Sequence, residues 1–139
     1  MNDTIISLLG YITWVLILLV WLAIYRTLLV AKKEQTVNGF KSDGSNSPAF
    51  GEQLARAQGN CVESFAFVGG LMLLALATNS TVITDGLALL ILAARLGQSI
   101  THLISTSVLA VQIRFAFFLA QIGICFYWVI IFVTQFIGA

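Results

Sequence analysis

Charge is the scarcest ingredient of this chain. Only 9% of its 139 residues are Asp, Glu, Lys or Arg, against roughly 25% in a soluble domain, while 59% are hydrophobic and the mean hydropathy is +0.97. That shortage excludes an aqueous setting for most of the chain and assigns it to a bilayer. Seven basic residues stand against six acidic ones, so there is no basic surplus to meet a phosphate backbone, and no nucleic-acid partner is expected. Histidine occurs once, at His102, and cysteine twice, at Cys61 and Cys125. A metal site needs several such ligands at set spacings, so no metal is expected either. Both cysteines lie in apolar helical sequence and read as buried free thiols behaving as small hydrophobes. The first apolar run also lacks a basic leader and continues for about 20 residues, longer than a secretory h-region, so it is expected to be a retained span.

What is present is length in apolar runs. Four of them, at about 5–30, 48–78, 85–105 and 112–137, are each long enough to cross a hydrocarbon core of roughly 30 Å as a helix. The expectation is an all-α membrane protein, a single four-helix domain over 1–139. The first connection holds Lys32, Lys33, Glu34, Lys41 and Asp43 with the run Gly44-Ser45-Asn46-Ser47 and reads as a loop. Ser47 before Pro48 suits an N-cap followed by Pro at the first helical position, and 79–84 reads as a polar turn. Arg26, Lys32, Lys33, Lys41 and Arg56 flank the first connection and Arg114 the third, while the second connection and both ends have no Lys or Arg. The positive-inside rule then puts the first and third connections in the cytoplasm and both termini across the membrane.

The few polar residues inside the spans are regularly placed. Arg56, Asn60 and Glu63 stand at i, i+4 and i+7 on helix two; Arg95, Gln98 or Ser99, and His102 repeat that spacing on helix three; Arg114 and Gln121 lie two turns apart on helix four. An ionisable group in a span is costly and normally faces a bundle interior or a wet cavity. Three arginines against one glutamate describe a net positive pocket suited to a carboxylate-bearing anion, which Arg binds in bidentate fashion. Blander readings stand beside this one. Arg56 or Arg95 could pair with Glu63, Arg114 could snorkel to lipid phosphates, His102 could be a satisfied interior histidine, and Asn60 could be glue between helices whose close approach Gly59, Gly69 and Gly70 allow. Phe115, Phe117, Phe118, Phe126, Tyr127 and Trp128 read as lipid-facing or packing surface.

The run Arg56-Ala57-Gln58-Gly59-Asn60-Cys61-Val62-Glu63 resembles the helix-two glutathione motif of the MAPEG family, the membrane-associated proteins in eicosanoid and glutathione metabolism. Arg95 with His102, and Ile113-Arg114 followed by Ala120-Gln121, resemble the segments of its prostaglandin-synthase members that bring the thiol-activating arginine. The four-span plan extends the resemblance over essentially the whole chain. It implies a homotrimer with glutathione, as co-substrate, bound between neighbouring subunits near the cytoplasmic side. Arg56, Gln58, Asn60 and Glu63 would hold the tripeptide, with Arg95 in support and Arg114 as the catalytic thiolate stabiliser. Lys32 or Lys33 falls where some relatives use a basic residue, and His102 stands in the site where the eicosanoid enzymes have Tyr. Ser64 and Phe115 also replace hydroxyl-bearing residues of those enzymes, a departure that bears on eicosanoid chemistry more than on the glutathione cradle.

Three functions follow as expectations. One is a membrane glutathione transferase, or a peroxidase of lipid hydroperoxides, acting on a lipophilic electrophile that arrives from the lipid into a groove lined by helices one and four. Another is a non-catalytic lipid-binding or scaffolding protein of the same family. The third, a small four-helix transporter with a proton-carrying glutamate, is disfavoured because the first span contains no carboxylate. The last residues, 136–139, contain no retrieval signal, which fits a bacterial inner membrane.

Overall fold

The computed structural model describes residues 2–32, 49–105 and 107–137. They form four helices, α1 (Asp3–Ala31), α2 (Ala49–Ala77), α3 (Thr81–Ile104) and α4 (Val108–Ile137). All four are long and apolar enough to cross a membrane; the shortest, α3 with 24 residues, spans about 36 Å at 1.5 Å per residue. Most of the first connection, with Lys33 and the Ser47-Pro48 cap, lies outside the described residues.

The second connection is tighter than the expected turn over 79–84. Asn79 takes a left-handed conformation (φ 55°), which Asn tolerates better than most residues. The Ser80 amide donates back to the Ala75 carbonyl at 2.7 Å and the Asn79 amide to Leu76 at 3.4 Å, the paired bonds of a Schellman ending. As a result α3 begins at Thr81 rather than Asp85. The fourth helix likewise starts before residue 112, because Ser107 acts as its cap and accepts from the Ala110 amide at 3.2 Å.

Neighbours in sequence pack antiparallel, and α3 touches all three other helices; α1 and α4 do not touch among the described residues. At the end holding the chain's N-terminus, α1 is pinned to α3 by polar contacts. Asn2 caps α1 by accepting from the Ile5 amide at 2.9 Å, Asp85 accepts from the Thr4 amide at 3.0 Å and from its hydroxyl, and Ser7 donates to the Ala88 carbonyl at 2.7 Å. Such bonds matter here, because lipid is as apolar as a protein core and association rests on packing and interhelical hydrogen bonds.

Two apolar clusters fill the bundle. Val68, Met72, Ile91, Trp128 and Phe132 belong to the one nearer the termini, and Leu18, Leu22, Leu54 and Ala55 to the one nearer the first connection. Both cysteines are buried and free. Phe115, Phe126 and Tyr127 are exposed, as expected of lipid-facing side chains, whereas Trp128 is wholly buried.

The glycines behave differently from expectation. A Cβ on Gly59 or Gly70 would meet nothing within 4 Å, and Gly69 accommodates the Phe65 ring of its own helix. Close approach between helices occurs instead at Gly10, against Leu92, and at Gly97, against the Phe117 ring. Within one chain the α2 glycines are therefore not the packing contacts.

Candidate functional site

The polar stripes of α2 and α3 face opposite ways. On α2, Arg56 and Glu63 are exposed and Asn60 is half-buried, so this stripe looks out of the bundle. Arg56 pairs with Glu52, one turn earlier, at 2.7 Å. On α3, Arg95, Gln98, Ser99 and His102 are all buried, so that stripe looks in.

Arg95 is 1% exposed and its partners are neutral. Its Nε–H donates to Gln121 Oε1 at 3.1 Å, a terminal N–H donates to the Ser64 hydroxyl, and the guanidinium carbon lies 5.9 Å from the centre of the Tyr11 ring. Gln121 passes the chain on, donating from Nε2 to Gln98 Oε1 at 2.8 Å and to the Phe117 carbonyl at 3.1 Å. Beside this network, Tyr11 donates to the Cys61 carbonyl at 3.4 Å and the Cys61 thiol meets the Ser99 hydroxyl at 3.2 Å. Every helix thus contributes to one buried polar node between the two apolar clusters.

A cavity of about 340 Å³ opens against this node between α2, α3 and α4, lined by Asn60, Glu63, Ser64, Gln98 and Arg114 with Val111, Phe115 and Phe118. Arg114 lines it with a half-buried side chain whose Nε is itself buried and has no hydrogen-bond partner. A second cavity of about 430 Å³ lies on the outer side of α2 and is lined by Arg56, Gln58, Gly59, Asn60 and Glu63 among others. The two share Asn60 and Glu63, which form the ridge between them.

Of the residues singled out from sequence, Asn60, Glu63 and Arg114 meet in the first cavity, and Arg56, Gln58, Asn60 and Glu63 in the second. Arg95 lines neither, reaching the first only through Ser64 and Gln98. His102 is buried in the last turn of α3 and lines neither cavity. Lys32 is exposed at the C-cap of α1, where its backbone N–H donates to the Leu28 and Val30 carbonyls, and it lines neither cavity. Among the described residues no three His, Cys, Asp or Glu side chains converge as metal ligands.

Tyr11 escaped the sequence reading although a signal was there. Thr4, Ser7 and Tyr11, spaced i, i+3 and i+7, are the hydroxyl-bearing side chains on the buried face of α1. The role of Ser64 is also new. It retains a hydroxyl where the eicosanoid enzymes have Tyr, and turns it to Arg95.

A family model matches residues 5–134 and is described as the MAPEG family. The chain belongs to the MAPEG family. This MAPEG protein is accordingly a multi-pass integral membrane protein with four candidate spans. No curated protein and no solved structure matches the chain. The family includes glutathione transferases and related members.

Proposed function

We propose that this MAPEG protein is a membrane glutathione transferase that activates the thiol of glutathione for attack on a lipophilic electrophile. The observation that carries the proposal is the first cavity, where Arg114 and Glu63 line one space with Asn60 and Gln98. A cationic donor and a carboxylate side by side suit a zwitterion that bears both carboxylates and an ammonium. Glutathione has that pattern, and Arg56, Gln58 and Asn60 on the adjoining surface extend it. Arg95, His102 and Lys32 take supporting places behind and beside these groups.

Arg114 is the catalytic residue of this reading. A free thiol near pKa 8.5 is only a few per cent ionised at neutral pH, and a guanidinium within hydrogen-bond reach lowers that by about one to three units. The thiol gives up its proton to water, and the thiolate attacks the electrophile, forming the S–C bond of the conjugate as the leaving group, chloride in a chloronitrobenzene, departs with its electron pair. Among the described residues the backbones of α1 and α4 do not come together within one chain, so a groove lined by those two helices requires a neighbouring copy. A homotrimer supplies it and covers the outward Glu63, which a lone subunit would expose to lipid. Gly59 and Gly70, with open space beside them, leave room for another helix. The first and third connections lie in the cytoplasm, both termini lie across a bacterial inner membrane, and glutathione enters from the cytoplasmic side.

A second reading, non-catalytic binding of lipid, draws on a neighbouring pocket of about 280 Å³. It is lined by Phe67, Leu71, Ile122, Cys125, Phe126 and Val129 and offers no polar group. One variant tests the first reading against it. Arg114→Ala is expected to bind glutathione yet lose the thiolate absorbance and the conjugation of a chloronitrobenzene acceptor. Undiminished conjugation by that variant refutes the assigned role, and a wild-type protein without turnover favours the second reading.

A further inference from the structure

The buried node dictates which end of Gln98 faces the cavity. Arg has five N–H donors and no acceptor, so the Gln121 atom at 3.1 Å from Arg95 Nε must be the carbonyl oxygen. The Gln121 amide nitrogen then turns the other way. It sits 3.1 Å from the Phe117 backbone oxygen, which only accepts, and 2.8 Å from Gln98. With a cation on one side and a carbonyl on the other, Gln121 cannot flip. The Gln98 atom that it meets must in turn be the oxygen, which leaves the Gln98 N–H₂ with no partner among the described residues. Gln98 is 8% exposed and lines the first cavity beside Arg114, so this nitrogen is a donor at the cavity wall awaiting an acceptor, next to an arginine whose own Nε has no partner.

We infer that Gln98 is a specificity-determining donor of this cavity, oriented by Arg95 through Gln121, and that with Arg114 it selects an anionic acceptor group in the ligand. Arg95 thereby acts as a positioning residue. Its charge stays buried, and what reaches the ligand is the direction that it imposes on two amides. A ligand presenting an N–H or a cation at the same place meets two donors and leaves all of them unpaired, a penalty larger than the gain from one good bond. The inference deepens the glutathione reading and rests on it only for the identity of the anion.

The test compares wild type, Gln121→Glu and Gln98→Glu in detergent, reading thermal midpoint and affinity for two probes, glutathione and sodium thiocyanate. Gln121→Glu still accepts from Arg95, now as an ion pair. It draws the Gln98 amide nitrogen toward itself and turns the Gln98 oxygen into the cavity. The ion pair with Arg95 offsets the bond to the Phe117 carbonyl that is lost, so the thermal midpoint should stay close to that of wild type while affinity for both probes falls about tenfold or more. Gln98→Glu should lose affinity for both to at least the same extent. A purely structural role for Gln121 would lower the midpoint and leave affinity alone. If both variants bind both probes as wild type does, or wild type binds neither, the inference is overturned. If wild type binds thiocyanate but not glutathione, and the variants lose thiocyanate, the donor wall stands and the glutathione reading fails.

Discussion

Arg56 pairs with Glu52 at 2.7 Å, one turn back along α2, and leaves Glu63 without an ion pair among the described residues. The two glutamates therefore differ in kind. Glu52 belongs to a half-exposed surface pair of the sort worth about 0 to 1 kcal/mol, whereas Glu63 lines both cavities. Glu52→Gln should change glutathione affinity less than threefold, and Glu63→Gln should weaken it tenfold or more. Isothermal titration on the two variants decides it, and equal effects would remove Glu63 from the binding assignment.

Gln121 holds three hydrogen bonds in the interior. Gln121→Leu keeps the bulk but orphans Arg95 Nε and frees the Gln98 oxygen. It should therefore destabilise the subunit by about 1 to 3 kcal/mol, visible as a lower midpoint in SDS or thermal unfolding. A midpoint at or above that of wild type would mean that Arg95 finds other partners.

Gly70 is exposed with open space beside it, so a lone subunit gains by its replacement. Gly70→Ala should raise subunit stability by up to about 1 kcal/mol through helix propensity. Gly70→Leu, by contrast, should break the proposed homotrimer while sparing the helix content. Native mass spectrometry in detergent distinguishes the outcomes, and a trimer undisturbed by Leu would place the subunit contact elsewhere.

Asp85 tests the opposite end of the bundle. Removing its carboxylate orphans the Thr4 amide in the first turn of α1, while the Thr4 hydroxyl keeps the Thr84 hydroxyl at 2.6 Å, so Asp85→Ala should cost about 1 to 2 kcal/mol. It lies 17 residues before His102 on α3, about 25 Å along the axis, and glutathione affinity should not follow. A loss of affinity without a loss of stability would contradict the separation of the two ends.

Much of the architecture is legible in the sequence. Apolar runs long enough to cross a bilayer announce four helices, and the spacing of Arg56, Asn60 and Glu63, or of Arg95, Gln98 and His102, places each set on one face, because the helical period is a local property of the backbone. The helix ends were less legible. Asn79 in its left-handed turn and the Ser107 cap shorten the connections through bonds that polar composition alone does not reveal.

What only the tertiary structure decided is the direction in which each face turns. In water a polar stripe simply points outward; in lipid it must avoid the acyl chains, but it can do so against its own bundle or at a cavity on its outer side, so the stripe alone does not declare which. The α3 stripe is buried against Ser64, Gln121 and Tyr11, and the α2 stripe faces out, since packing at Gly10 and Gly97 and the bonds made by Arg95 set the rotation of the helices. That rotation hides one arginine in the interior, leaves another on the outer side of α2, and brings Arg114 to a cavity that Gln98 meets with its donor end.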